Sequence, residues 1–214
     1  MDESIWPLAG LAVVTPRLRL RYVDDELAAG LARLATRGVH DPATMPFTTP
    51  WTDVASPELE RNTLQYFWRN RSETSPEHWD LNFAADVDGT LVGACSVSAD
   101  GFGRHRSAET GSWIGMRYQR VGLGREMRQA ALHLIFDGFG AKQATTKAWH
   151  DNAASLAVTR SLPYVQTGSS EQTRRGHTDL LIHFEMSRER WLTVRRDDIT
   201  LHGVEAIREQ LSLP

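Results

Sequence analysis

The segment Trp113-Ile-Gly-Met-Arg-Tyr-Gln119-Arg-Val-Gly122-Leu-Gly124-Arg-Glu-Met-Arg-Gln-Ala-Ala constrains this chain more than any other. It reads as a strand, a glycine-bearing loop and a long amphipathic helix. Gly122 and Gly124 carry no Cβ, so the backbone can turn sharply and bring several N–H groups to one anion. The helix behind them adds its own unpaired donors and partial positive charge. Gln119, Arg120 and Arg125 surround the loop with further donors. The expected ligand carries a phosphate. Two other phosphate motifs drop out. A P-loop ends in Gly-Lys-Ser/Thr, whereas Gly124 is followed by Arg125-Glu126. A dinucleotide-binding turn needs a third glycine where Met127 stands.

What remains is Gln-x-x-Gly-x-Gly at Gln119, Gly122 and Gly124. It resembles the acyl-CoA loop of the GNAT superfamily of N-acyltransferases, whose pattern is Arg/Gln-x-x-Gly-x-Gly/Ala. Thr15-Pro-Arg-Leu-Arg-Leu-Arg21 is similar to the first strand of the branch that acetylates ribosomal-protein N-termini. Glu109-Thr-Gly-Ser-Trp-Ile114 is similar to that branch's fourth strand, and Asp151-Asn-Ala-Ala-Ser155 to the start of its second CoA-contacting helix. The matches run in the family's order from Thr15 onward. The resemblance implies an α/β (α+β) fold with a mixed, mostly antiparallel central sheet and helices on both faces. The fourth and fifth strands would splay apart to admit the thioester arm of CoA. It implies transfer of an acyl group from acetyl-CoA, or another acyl-CoA such as succinyl-CoA, to an amine on a small molecule or peptide.

Composition fits this reading. The 214 residues suit one domain, set here at 1–192, with a 193–214 extension packed on it or on a dimer partner. A net charge of −3 gives no reason to expect nonspecific nucleic-acid binding. Cys95 is the single cysteine, which excludes an internal disulfide and fits a reducing cytoplasm. No apolar run approaches the ~18 residues of a membrane span, and the start Met-Asp-Glu-Ser-Ile-Trp-Pro lacks the pattern of a secretion signal.

Leu18, Leu20 and Tyr22 alternate with arginines as a half-buried first strand. Asp24 is placed to cap a helix through Leu27, Leu31 and Leu34. His40–Pro57 is irregular and carries Met45, Phe47 and Trp51 on an exposed-looking loop; a second helix starts at Ser56-Pro57-Glu58. Trp79–Val87 and Leu91–Ser98 form a hairpin around Asp88-Gly89, followed by a turn at Asp100–Arg106 and the fourth strand at Ala108–Ile114. In the helix after the loop, Leu123, Met127, Ala130, Leu134 and Phe139 fall on the apolar face, with Arg125, Arg128, Gln129 and Asp137 opposite. A strand at Gln143–Trp149, a helix at Asn152–Leu162, and strands at Tyr164–Thr167 and Thr178–Met186 complete the core. In the tail, Ile199, Leu201 and Gly203 alternate like a strand, and Val204, Ile207 and Leu211 share a helical face. Its apolar content points to a homodimer contact, symmetric dimers being common.

The resemblance assigns roles. Backbone donors from Gln119 through Arg120, Val121, Gly122, Leu123, Gly124 and Arg125, with Met116 just before, would hold pyrophosphate. The backbone of Trp113 and Ile114 would pair with the pantetheine arm and stabilise the oxyanion. Asn152 and Ser155 would touch the same arm, although both residue types are also ordinary helix caps. Many relatives place a tyrosine general acid seven residues after this asparagine; here Thr159 stands there. Pro163 replaces their glycine. The attacking amine must lose a proton, and Glu109, on the strand face of Gly111 and Trp113, is the candidate base. His150, Asp151 and Asp80 are alternatives. Met45, Phe47 and Trp51 would wall the acceptor, and Arg37, Arg104 or Arg106 would meet a succinyl carboxylate. The eight histidines show no metal-ligand spacing, so no metal is expected. Cys95 lies in an apolar strand with no adjacent base, which suits packing rather than nucleophilic work.

Overall fold

Alternation of apolar and polar residues builds most of one sheet. The structure, a computed structural model, describes residues 2–214. In chain order it contains strands β1 (Ala12–Val14) and β2 (Arg19–Tyr22), helices α1 (Asp25–Ala35) and α2 (Glu58–Glu73), and strands β3 (His78–Val87) and β4 (Thr90–Asp100). Then come the short helix α3 (Phe102–His105), β5 (Ser107–Ile114), α4 (Leu123–His133), β6 (Gln143–Trp149) and α5 (Ala153–Arg160). The hairpin β7 (Val165–Arg174) and β8 (His177–Ser187), α6 (Arg188–Leu192), β9 (Thr200–His202) and α7 (Val204–Gln210) finish the chain. The sheet order is β7-β8-β6-β5-β4-β3-β2-β1-β9. Among the described residues only β5 and β6 run parallel; the other neighbours are antiparallel. The fold is therefore α/β with a mixed, mostly antiparallel sheet.

Local chemistry explains the element ends. The Asp24 carboxylate accepts from the Leu27 N–H at 2.9 Å and satisfies an orphan donor of α1. Asp88 and Gly89 both take positive φ (49° and 79°), the geometry of a two-residue hairpin turn. The side chains of Trp79, Leu81 and Phe83 fill the core with Met127 and Ala130 of α4. Ala84 and Ala94, on the opposite sheet face, meet Leu27 and Leu31 of α1 and Phe67 of α2. Helices thus cover both faces.

Several expectations need correction. A strand precedes the first one expected: β1 pairs with β2 and also with β9, so the family's fourth and fifth strands are β5 and β6 here. The Asp100–Arg106 turn contains α3, and the last hairpin is longer than its alternation suggested. Regular α-helix in α4 stops at His133, and Leu134–Gly138 continues as a π-helical turn that carries the buried Phe139 off the end. Arg128, placed on the polar face, is buried, and its Nη1 has no acceptor among the described residues. The reason is that α4 is packed by α5 as well as by the sheet, while the segment after β8 reaches it too: Arg196 Nη1 donates to Gln129 at 3.1 Å, and Trp191 stacks on Phe136 with centroids 5.0 Å apart. That segment buries Ile199, Ile207 and Leu211 within its own chain.

Candidate active site

The parallel pair β5–β6 is short. Their ladder covers Ser107–Glu109 against Gln143–Thr145, although β5 continues to Ile114 and β6 to Trp149. Two threonines mark the fork: Thr146 Oγ1 donates to the Thr110 carbonyl at 3.0 Å, and Thr110 Oγ1 to the Thr145 carbonyl at 3.3 Å. Beyond them the strands part.

Backbone parity decides which β5 groups face that gap. The Gly115 N–H donates to Val92 at 2.9 Å, and Trp113 lies opposite Ala94 in the same register. Alternate residues of an antiparallel pair exchange both bonds with the partner. Trp113 therefore spends its backbone on β4, whereas Ser112 and Ile114 turn theirs to the gap. Of the expected pair, Ile114 turns its backbone to the gap and Trp113 turns its own to β4, and the Trp113 side chain lies on the α1 face. The Ile114 carbonyl already accepts from Gln119 Nε2 at 2.7 Å.

The glycine loop stands at the mouth of the gap. Arg120 and Gly122 take φ of 63° and 85°, the left-handed region that glycine enters without cost. Among the described residues, nothing accepts from the N–H groups of Arg120 to Arg125; the next one, of Glu126, closes the first helical turn on Gly122 at 3.2 Å. Six consecutive uncommitted donors at a helix N-terminus suit a diphosphate. The two glycines differ. A Cβ on Gly122 would stand 3.3 Å from Arg17 Nη2 in a φ that side chains resist, whereas one on Gly124 would make ordinary contacts of 3.6 Å to Val158 and 4.0 Å to Ile114. Only Gly122 is conformationally demanded. Gln119 does not offer its side chain outward: Nε2 bridges the carbonyls of Val39 (2.8 Å) and Ile114, tying the loop to β5. Met116, half exposed, caps the same end, its N–H donating to Gly38 at 3.0 Å. Asn152 caps α5 by accepting from the Ser155 N–H at 3.1 Å. The Thr159 hydroxyl is buried without a partner among the described residues.

On the other sheet face, aromatic rings line the gap. Trp51 lies 5.9 Å from Trp113 and 5.2 Å from Phe47, which in turn lies 5.6 Å from His40. Met45, expected to be exposed, is buried; its carbonyl accepts from Arg174 Nη1 at 2.6 Å. Arg174 also pairs with Asp151 (2.7 Å) and Asp179 and lies over the Trp149 ring at 4.6 Å. Arg175 grips Asp53 through two nitrogens. These two arginines, on the β7–β8 turn, strap the 40–53 loop in place. Sequence reasoning passed over both, and adjacent arginines at a hairpin tip give no local signal of a distant partner.

Glu109 pairs with Lys147 Nζ at 2.8 Å, both side chains partly exposed. Register places Ser98 opposite Glu109 and Asp80 opposite Ser98, so all three share this face. Burial pushes Asp80 up to about 6. Its Oδ2 accepts from Tyr66 (3.0 Å) and Asn70 (2.9 Å), while Oδ1 is buried with no donor. His150 is held by Asp179 at 2.9 Å. Burial pushes the Cys95 thiol up to about 12, so it is not a nucleophile at neutral pH. Arg104 and Arg106 lie before β5, at the end away from the loop, and Arg106 spends a nitrogen on the Gly140 carbonyl.

A fork in a parallel strand pair with an uncommitted donor loop at its mouth has a counterpart among known families. The family model described as an acetyltransferase (GNAT) domain matches residues 17–164. The chain belongs to the GNAT acetyltransferase family. It is an acyltransferase, and enzymes of this family use acyl-CoA. Solved structures share the fold of this GNAT enzyme. A ribosomal L7/L12 alpha-N-protein acetyltransferase, RimL, in complex with coenzyme A superposes with a TM-score of 0.67 at 18% identity, over 81% of this chain and 96% of that one. A GNAT acetyltransferase from Bacillus anthracis gives 0.65 at 17%, over 83% and 99%. A chimera of the spermidine N-acetyltransferase SpeG from Vibrio cholerae with hSSAT gives 0.63 at 15%, over 83% and 99%.

Proposed function

We propose that this enzyme transfers an acetyl group from acetyl-CoA directly to a primary amine. The observation that carries the reading is the run of free N–H groups from Arg120 to Arg125 at the mouth of the β5–β6 gap. These donors would hold the pyrophosphate. The backbone of Ser112 and Ile114 would receive the pantetheine arm, with Asn152 and Ser155 beside it. The Ser112 N–H would polarise the acyl carbonyl. The amine would enter from the face of Phe47, Trp51 and Trp113, with Met45 fixing the loop behind them. Its nitrogen attacks the acyl carbon to form the C–N bond and a tetrahedral oxyanion, Glu109 takes the amine proton, and collapse of the oxyanion breaks the C–S bond, CoA leaving as its thiolate to be protonated by solvent. The Lys147 ammonium fixes that carboxylate.

The neighbours' names support an amine acceptor, since one is an alpha-N-protein acetyltransferase and another a spermidine N-acetyltransferase. A small amine or a peptide N-terminus suits the aromatic wall. Succinyl-CoA is the alternative donor; of the arginines considered for its carboxylate, Arg37 alone lies near this end, one residue before the Gly38 that receives Met116. A CoA-binding regulator without catalysis draws support from Thr159 in place of tyrosine and from Glu109 being committed to Lys147. We also propose that the enzyme works as a homodimer in the reducing cytoplasm, which its single thiol, Cys95, fits. Turnover across acetyl-CoA, succinyl-CoA and a panel of amines tests the reading. Acetyl transfer is expected. A preference for succinyl-CoA moves the donor, and CoA binding without transfer to any amine replaces catalysis with regulation.

A further inference from the structure

Thr15-Pro16-Arg17 forms the turn between β1 and β2 and lies against the first turn of α4. The turn closes on itself, the Thr15 N–H donating to the Leu18 carbonyl at 2.9 Å and the Leu18 N–H to Thr15 Oγ1 at 3.1 Å. What it holds is Glu126, a buried carboxylate in the turn that begins at the glycine loop. Glu126 accepts from Thr15 Oγ1 at 2.6 Å, from the Arg17 N–H at 3.2 Å and from Arg17 Nε at 2.5 Å. Burial alone would raise its pKa, but the hydrogen bonds from Thr15 and Arg17 outweigh burial and hold it below the usual carboxylate range. Glu126 is therefore an anion.

An anion at that helix end would repel a diphosphate. Arg17 answers it. With Nε on Glu126, the guanidinium extends Nη1 to the Val121 carbonyl at 3.0 Å, inside the loop. That bond fixes one oxygen of the loop on the arginine, leaving the anion to the N–H groups. Nη2 stands 3.3 Å from where a Cβ on Gly122 would sit, and among the described residues nothing accepts from it. The side chain is 49% exposed. Planar, permanently charged and anchored on one edge, it presents its other edge beside the donor loop.

We propose that Arg17 is a CoA-binding residue of this enzyme: anchored by Glu126, it fixes the Val121 carbonyl and gives its free Nη2 edge to the diphosphate. The inference rests on the loop being the pyrophosphate site. Two roles are joined in one side chain, neutralising Glu126 and contacting the ligand, and both act only on a donor that carries the diphosphate.

The test compares acetyl-CoA with S-acetylpantetheine, which has the thioester arm and no diphosphate, in wild type, Arg17→Gln, Arg17→Lys and the pair Arg17→Gln/Glu126→Gln. Calorimetry gives CoA affinity, and steady-state kinetics give kcat/KM for each donor. Arg17→Gln is expected to weaken CoA at least about tenfold, as for a lost charge-assisted contact, and to leave kcat/KM for S-acetylpantetheine within about twofold. Removing the Glu126 charge as well should restore part of the CoA affinity. Arg17→Lys should fall between wild type and Arg17→Gln, and it carries the comparison if Arg17→Gln does not fold. Equal losses with both donors would make Arg17 purely structural and overturn the proposal, as would unchanged CoA affinity. A wild-type enzyme with no affinity for CoA would instead remove the loop reading itself, and this inference with it.

Discussion

Replacing Asp80 by asparagine should stabilise the protein at neutral pH. Asp80 lies on β3 under α2, with Oδ2 accepting from Tyr66 and Asn70 and, among the described residues, no donor to the buried Oδ1 and no cation paired with it. Burial raises its pKa from 3.8 to about 6. The folded state therefore holds this proton more tightly than the unfolded chain. Stability from this group is fully present below pH 3.8 and is lost as pH rises through about 6. At about 1.4 kcal/mol per pH unit, that interval makes ionised Asp80 cost about 3 kcal/mol at pH 7. The asparagine side chain would keep an acceptor for Tyr66 and Asn70 but would put the donors of Nδ2 where Oδ1 is buried without a partner among the described residues, which offsets about 1 kcal/mol. A net gain of about 2 kcal/mol remains. Urea denaturation from pH 4 to 8 measures it, as a midpoint shift of about 1 M at pH 7 that disappears near pH 4. A variant less stable than wild type at pH 7, or a difference that does not vary with pH, would refute the reasoning.

Glu109→Gln should slow turnover chiefly near neutral pH, with partial recovery at high pH where free amine is abundant; an unaltered pH–rate profile would remove Glu109 from the mechanism. Ile207→Ala should cost about 2–5 kcal/mol by chemical denaturation, because Ile207 is fully buried in the core that α7 shares with the strands; a loss under about 1 kcal/mol would mean that the C-terminal segment is not part of that core.

Elements set by local rules were legible. Alternation marked β2, β3 and β8, Asp24 marked the start of α1, and Asp88-Gly89 marked a tight turn and with it β4. Gly122 and Gly124 were both legible as glycines of a sharp turn, but that Gly122 alone of the two takes a left-handed φ was not. Features set by distant contacts were not. Ala12–Val14 is too short to alternate, and it is a strand because β2 and a segment nearly the whole chain away flank it. Arg17 and Glu126 meet across 109 positions, and each alone looks like a solvated charge. Met45 looked exposed in a proline-rich loop because Arg174 and Arg175, which pull that loop down, lie on a hairpin far along the chain. The commitment of the Trp113 backbone to β4 carried a signal that was available. If Glu109, Gly111 and Trp113 share a side-chain face, their backbone groups also share a direction, and the gap belongs to the residues between them.

The most direct test of the central claim is calorimetric titration of CoA into wild type and Gly122→Val. Valine at a φ of 85° carries backbone strain of about 1–2 kcal/mol and points a branched side chain at Arg17 Nη2. The variant should remain folded, with its melting temperature modestly lowered, because Gly122 lies outside the packed core. Wild type should bind CoA, and folded Gly122→Val should bind it at least about tenfold more weakly, about 1.4 kcal/mol. Equal CoA affinity in the two folded proteins would contradict the assignment of this loop as the diphosphate site.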